Sequence, residues 1–162
     1  MKGHEAIREF IRLTAESLSD DLQFFYAKTS DFNQLTDVNS PSIVLDPLSA
    51  VPQYTDNGVT NYMKAWSCNM AFYKFDREGS TPEQYAKLLD ETDSLVDKFI
   101  NKINFYSYKS DSIVIQNINQ SPFIKATSKI MTGHILTFTL LAQDDFDYCA
   151  DDLNCEVTED EC

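Results

Sequence analysis

The sequence predicts an α+β domain in which two helices pack on one face of a mostly antiparallel sheet. Two segments carry apolar residues at helical spacing, several others alternate as strands do, and helices and strands do not follow one another regularly. With 162 residues, 43% of them hydrophobic, the chain is long enough for one core. We assign residues 1–143 to a single domain and residues 144–162 to an acidic C-terminal arm.

The two helices are predicted at residues 4–17 and 82–104. In the first, the large apolar residues fall on one stripe, opposite Glu and Arg side chains. The second has a proline at its first helical position, and Thr81 and Gln84 have the spacing of a capping box. Each helix therefore has one apolar face to bury against the sheet.

The strands are predicted from alternation and from the turn residues at their ends. The clearest pattern covers residues 62–75, where Trp66, Cys68, Met70 and Phe72 alternate with small or polar residues. We expect these four side chains to face the core, so Trp66 is predicted to be buried. The other strands are expected at residues 22–28, 42–45, 105–109, 113–118, 123–127 and 133–143.

Two segments are predicted to lie outside regular structure. Residues 46–61 contain two prolines, one glycine and several short polar side chains, which favours a long exposed loop. Residues 144–162 hold nine carboxylates, no Lys or Arg and few large apolar residues. We expect this arm to be extended or disordered unless a partner orders it.

Charge and hydropathy exclude several classes of partner. The chain has 13 Lys and Arg against 26 Asp and Glu, a net charge of −13, which disfavours binding to nucleic-acid phosphates or to an anionic membrane. No apolar run approaches the ~18 residues of a membrane-spanning helix, so we expect a soluble protein made in the cytosol. We assign the aromatic residues to the core and to subunit interfaces, because stacking on single-stranded nucleic acid needs a cationic groove.

The sequence predicts no catalytic, cofactor-binding or metal site. Its four glycines match no phosphate-binding loop, and the spacing of Cys149, Cys155 and Cys162 lacks the short pairs of a structural zinc site. Cys68 and His134 could form a nucleophile–base pair if the fold brought them together. We expect instead that Cys68 is a buried, inert thiol and that His134 is a polar residue at the entrance of the last strand.

The order of elements over residues 5–143 carries a likeness to a known family, and its clearest segments are residues 24–26, 30–33, 40–47, 65–72 and 131–140. On these segments the chain resembles the tail-terminator and neck proteins of tailed bacteriophages. The Asp- and Cys-rich ending is similar in composition to that of the neck ring proteins of crAss-like phages. The long segment 46–61 and the acidic arm depart from the family pattern.

The resemblance implies a non-enzymatic subunit of a hexameric or dodecameric ring in the virion, made in the host bacterial cytoplasm. Its partners would be copies of itself and the portal, neck or tail proteins, with no cofactor and no membrane contact. DNA would pass through without specific binding, since an acidic lining lets the duplex slide. The alternative is an acidic accessory protein that binds a basic partner, as an inhibitor or a DNA mimic.

Overall fold

A computed structural model describes residues 3–28, 41–53, 63–76, 81–110, 113–126 and 130–143. The α+β class is confirmed: two helices accompany a six-stranded, mostly antiparallel sheet. In chain order the elements are α1 (His4–Glu16), β1 (Gln23–Tyr26), β2 (Ser42–Leu45), β3 (Ser49–Gln53), β4 (Met63–Asp76), α2 (Pro82–Ser110), β5 (Ile113–Ala126) and β6 (Ile130–Gln143).

The sheet is built around β4 and β6, which pair along their whole length from Met63 opposite Gln143 to Asp76 opposite Ile130. On the other side of β6 lies β5, and β2 and β3 follow one another along the other side of β4. The strand β1 pairs with β2, and this is the one parallel pair among the strands described. One edge of the sheet is therefore β5, and the other is formed by β1 and β3.

Both helices cover the same face of the sheet. The apolar stripes of α1 and α2 pack with alternate residues of β4 and β6 into one core, and Trp66 is 5% exposed, as predicted. The capping box of α2 is present, with Thr81 N–H donating to Gln84 Oε1 (2.8 Å) and Gln84 N–H to Thr81 Oγ1 (3.4 Å). The largest core side chains include Ile7, Phe10, Ile11, Trp66, Met70, Phe72, Phe99, Ile103, Tyr106, Leu136, Phe138 and Leu140.

The strand predicted at residues 105–109 is wrong, because α2 continues to Ser110. Tyr106 follows Phe99 and Ile103 at spacings of seven and three, so it falls on the same buried stripe of the helix. The alternation of residues 105–109 is too short to distinguish a strand from the last turns of a helix.

Among the described residues, neither helix is long and apolar enough to cross a membrane.

The two strands predicted at residues 113–118 and 123–127 are a single strand, β5. Its pairing with β6 shifts by one residue between Gln116 and Asn119, a β-bulge in which Asn117 has a φ of 53°. Asparagine accepts this left-handed conformation better than most residues do. Residues 119–122, which separate the two predicted strands, pair regularly with β6 beyond the bulge, so β5 has no break there.

The loop predicted at residues 46–61 is wrong over residues 49–53, which form β3. This strand pairs with β4 from Ser49 opposite Ser67 to Gln53 opposite Met63. A proline is tolerated at the edge of a sheet, which explains why Pro52 does not exclude a strand. The rest of that prediction at residues 54–61, and the predicted arm at residues 144–162, lie outside the described residues.

Candidate interaction surfaces

The fold does not bring Cys68 and His134 together as a catalytic pair. Cys68 lies opposite Phe138 and His134 opposite Phe72, so they are four positions apart along β4, or roughly 13 Å. The Cys68 thiol is buried, its Sγ donates to the Trp66 carbonyl (3.6 Å), and burial raises its pKa. The predicted burial of Cys68 is confirmed.

The position predicted for His134 is wrong, because β6 begins at Ile130 and His134 lies inside the strand, 7% exposed beneath α2. Its Nδ1 is 3.0 Å from Thr92 Oγ1, and Nε2 is 3.9 Å from Asp93 Oδ1. The Thr92 hydroxyl also lies 3.0 Å from the carbonyls of Leu88 and Leu89, so the direction of its hydrogen bond with Nδ1 depends on the His134 tautomer. Burial lowers the pKa of His134, and Asp93 partly opposes this shift.

Polar contacts link the first half of α2 to β4, β5 and β6. Lys74 Nζ in β4 lies 2.6 Å from Glu91 Oε2, and Gln120 Nε2 in β5 donates to Asp93 Oδ1 (2.5 Å). Together with the His134–Thr92 contact, these two contacts hold α2 at a fixed position over the sheet.

The described residues contain no cluster of three or more His, Cys, Asp or Glu side chains that could hold a metal ion.

The sheet face opposite the helices is divided into three zones. At one end, Val44, Ala71, Tyr73 and Met131 form a second buried apolar cluster. A polar belt crosses the middle of the face, and an apolar row crosses the other end. The strand register divides the belt into two rows, Ser49, Ser67, Thr139 and Gln116 in one and Asn69, Thr137 and Asn119 in the next. The apolar row consists of Val51, Ala65, Leu141 and Val114.

A cavity of about 400 Å³ lies over the polar belt. Asp46 Oδ2 accepts a hydrogen bond from Asn69 Nδ2 (2.6 Å) at its rim, and Asn69 Oδ1 is buried with no hydrogen-bond partner among the described residues. The lining side chains are mainly hydroxyls and amides, and Asp46 is the one that carries a charge. This cavity can accept hydrogen bonds from a neutral group but offers no nucleophile–base pair.

The edge strand β5 exposes Val114 (36%), Ile118 (43%) and Ile124 (57%). The described residues place no strand beyond it, and its 14-residue sequence contains one charged residue, Lys125. Charges, prolines and β-bulges usually protect such an edge, and β5 holds Lys125, Pro122 and the bulge at Asn117. Its exposed aliphatic side chains still offer an apolar surface to another chain. We call this strand the β5 edge.

A groove of about 490 Å³ runs between the end of α1, the middle of α2 and the end of β4. We call it the lysine groove. Its floor is apolar in part and its rim carries three ammonium groups. The residues that define it are Leu18, Lys74, Lys87, Glu91, Leu95 and Lys98.

The comparisons with known proteins identify no family. No family model matches the chain, and no curated protein matches it. The β5 edge and the lysine groove are therefore the surfaces from which a function is inferred. Sequence patterns missed both, since one depends on which strand lies at the edge and the other on residues brought together by the fold.

Proposed function

We propose that the chain is a non-enzymatic structural subunit of a homo-oligomeric ring in the virion of a tailed phage. The ring would sit at the neck or the tail end, between the portal and the tail. The observation that carries the proposal is the β5 edge, a long strand with exposed aliphatic side chains at the border of the sheet. A closed ring satisfies such an edge on every subunit, because each copy covers the edge of its neighbour.

The charge distribution agrees with this use of the edge. Copies that each carry −13 repel one another, so a contact between them is favoured where the surface holds few charges. The β5 edge has one charged residue in its sequence, whereas the exposed side of α2 carries Asp93, Asp97 and other charges. The remaining negative surface suits a conduit through which DNA slides.

The candidate catalytic groups give an enzyme no comparable support. Cys68 is buried with a raised pKa, and His134 is occupied by Thr92 beneath a helix. The chain keeps a helix, short strands, a long strand, a second helix and a long last strand in that order, but β3 is added, residues 105–109 belong to α2 and β6 begins before Gly133. These observations favour a structural role.

The proposal is tested by measuring the mass of the native full-length chain at several concentrations. We expect six- or twelve-fold assemblies of the 18.5 kDa subunit. A Val114→Lys, Ile124→Lys double variant should lower the assembled fraction at least ten-fold, because it places charges on the β5 edge. The matched control, Ala86→Lys with Asn101→Lys, adds the same charge at exposed positions of α2 and should assemble normally.

Two results would contradict the proposal. One is a monomer at every concentration, which would favour the acidic accessory protein that binds a basic partner. The other is an assembly that both double variants form equally well, which would exclude the β5 edge as the contact.

A further inference from the structure

We propose that the acidic arm of one copy, residues 144–162, binds in the lysine groove of a neighbouring copy. This inference rests on the proposed ring and names the contact that links its subunits in addition to the β5 edge. The occupant is a segment of this same chain. Its recognition chemistry is the pairing of carboxylates with ammonium groups beside an apolar floor.

The groove holds more ammonium groups than its own carboxylates neutralise. Lys74 Nζ lies 2.6 Å and Lys87 Nζ 3.9 Å from the same Glu91 carboxylate, so two cations share one anion. Lys98 adds a third ammonium group and forms no ion pair with any described residue, while Asp90 adds one further carboxylate. A chain of net charge −13 thus keeps a local excess of positive charge at this groove.

The composition of the arm complements that surface. It carries nine carboxylates and no cation, and Phe146, Tyr148, Leu153 and Val157 are interspersed among them. The groove offers the partly buried side chains of Leu18 and Leu95 to such apolar residues. Apolar contacts with these leucines would accompany the ion pairs, while Lys87 and Lys98 at the exposed rim remain open to screening by salt.

The positions of the two surfaces favour a neighbour as the source of the arm. The arm follows Gln143, which pairs with Met63 at the first residue of β4, whereas Lys74 lies eleven residues further along that strand. The separation along the sheet is about 36 Å at the rise of a strand. An extended arm of 19 residues spans at most about 65 Å, a length sufficient to reach a groove on a copy packed beside its own.

An arm that returned to its own groove would have few residues left to bind there. It would spend more than half of its residues on the distance to Lys74. Contact between copies leaves more of the carboxylates for the groove and links each subunit to the next.

The test uses the full-length chain, mixed as equal parts of ¹⁴N and ¹⁵N protein and treated with a carbodiimide, which joins carboxylates to amines without a spacer. We expect cross-links between residues 144–162 and Lys87 or Lys98 that combine the two isotopes. These links should decline at least five-fold between low and high salt. Lys109, an exposed lysine near the end of the same helix, serves as the internal control.

A matched pair of variants tests the energetic role of the groove. Lys87→Gln with Lys98→Gln should reduce the assembled fraction at least five-fold at low salt, while Lys109→Gln should leave it unchanged. Single-isotope links alone would show that the arm binds its own subunit and would overturn the inference. Equal linking to Lys109 and to the groove would overturn it as well. Rings without cross-links to the groove would refute the arm contact but not the proposed ring. A monomer would refute both the arm contact and the ring.

Discussion

A glycine in the central strand pair gives the sharpest test of the fold. Gly133 in β6 lies opposite Tyr73 in β4. A Cβ atom added there would lie 1.9 Å from the Phe72 carbonyl oxygen and 2.7 Å from the Tyr73 Cα. Carbon–oxygen contacts in sheets are normally about 3.3 Å or longer. Gly133→Ala therefore forces the backbones of the two central strands apart by more than an ångström.

The loss in free energy of unfolding caused by Gly133→Ala depends on which atoms must move. Overpacking a core usually costs about 1–3 kcal/mol, and here the obstacle is backbone in the middle of the sheet, so we expect about 3 kcal/mol. Replacing glycine by alanine in a strand returns up to about 1 kcal/mol of chain entropy. The net loss of about 2–3 kcal/mol should lower the melting temperature by roughly 5–10 °C in a domain of this size.

The assay is urea unfolding of the full-length chain, followed by circular dichroism. Gly3→Ala is the matched control, because Gly3 has a φ of +65° but no atom within 4 Å of an added Cβ. Gly3→Ala should lower the free energy of unfolding by the backbone strain alone, about 1 kcal/mol. If Gly133→Ala unfolds at the same urea concentration as the unmodified chain, the close approach of β4 and β6 is wrong.

Three further predictions concern the core, the buried histidine and the arm. Trp66→Ala should destabilise the domain by about 3–5 kcal/mol in the same urea assay, because it empties a large buried site, and a normal midpoint would refute its placement. Burial lowers the pKa of His134 in the folded state, so folding favours the neutral side chain. The stabilisation from neutral His134 is complete above the unfolded pKa of about 6.5 and is lost as the pH falls through the folded pKa. Unfolding free energies at pH 7.5 and 5.5 should therefore differ more in the unmodified chain than in His134→Gln, and equal differences would contradict this. Truncation after Gln143 should leave the melting temperature unchanged but weaken assembly in a salt-sensitive way; a large loss of thermal stability would show that the arm belongs to the fold.

The sequence predicted the parts of the fold that local physics determines. Alternation located β4 and β6, and the Thr81–Gln84 capping box located the start of α2, since these signals involve neighbouring residues. The end of α2 and the strand β3 were missed. In both cases the outcome depends on tertiary contacts, because Tyr106 packs in the core and Ser49–Gln53 pairs with β4.

The candidate surfaces could not be predicted for a related reason. The lysine groove combines residues of β4 and α2 that are thirteen or more positions apart in the sequence. No local sequence pattern indicates that the fold brings them together. The β5 edge depends on the strand order, which places β5 rather than β6 at the border. Its low charge was visible in the sequence, but its position in the sheet was not.

Electron microscopy of the purified full-length chain at low salt tests the central proposal most directly. The account predicts closed rings of six or twelve copies, with the β5 edge of each subunit at the contact with its neighbour. Isolated particles of a single 18.5 kDa subunit, or rings in which the β5 edge faces solvent, would contradict it.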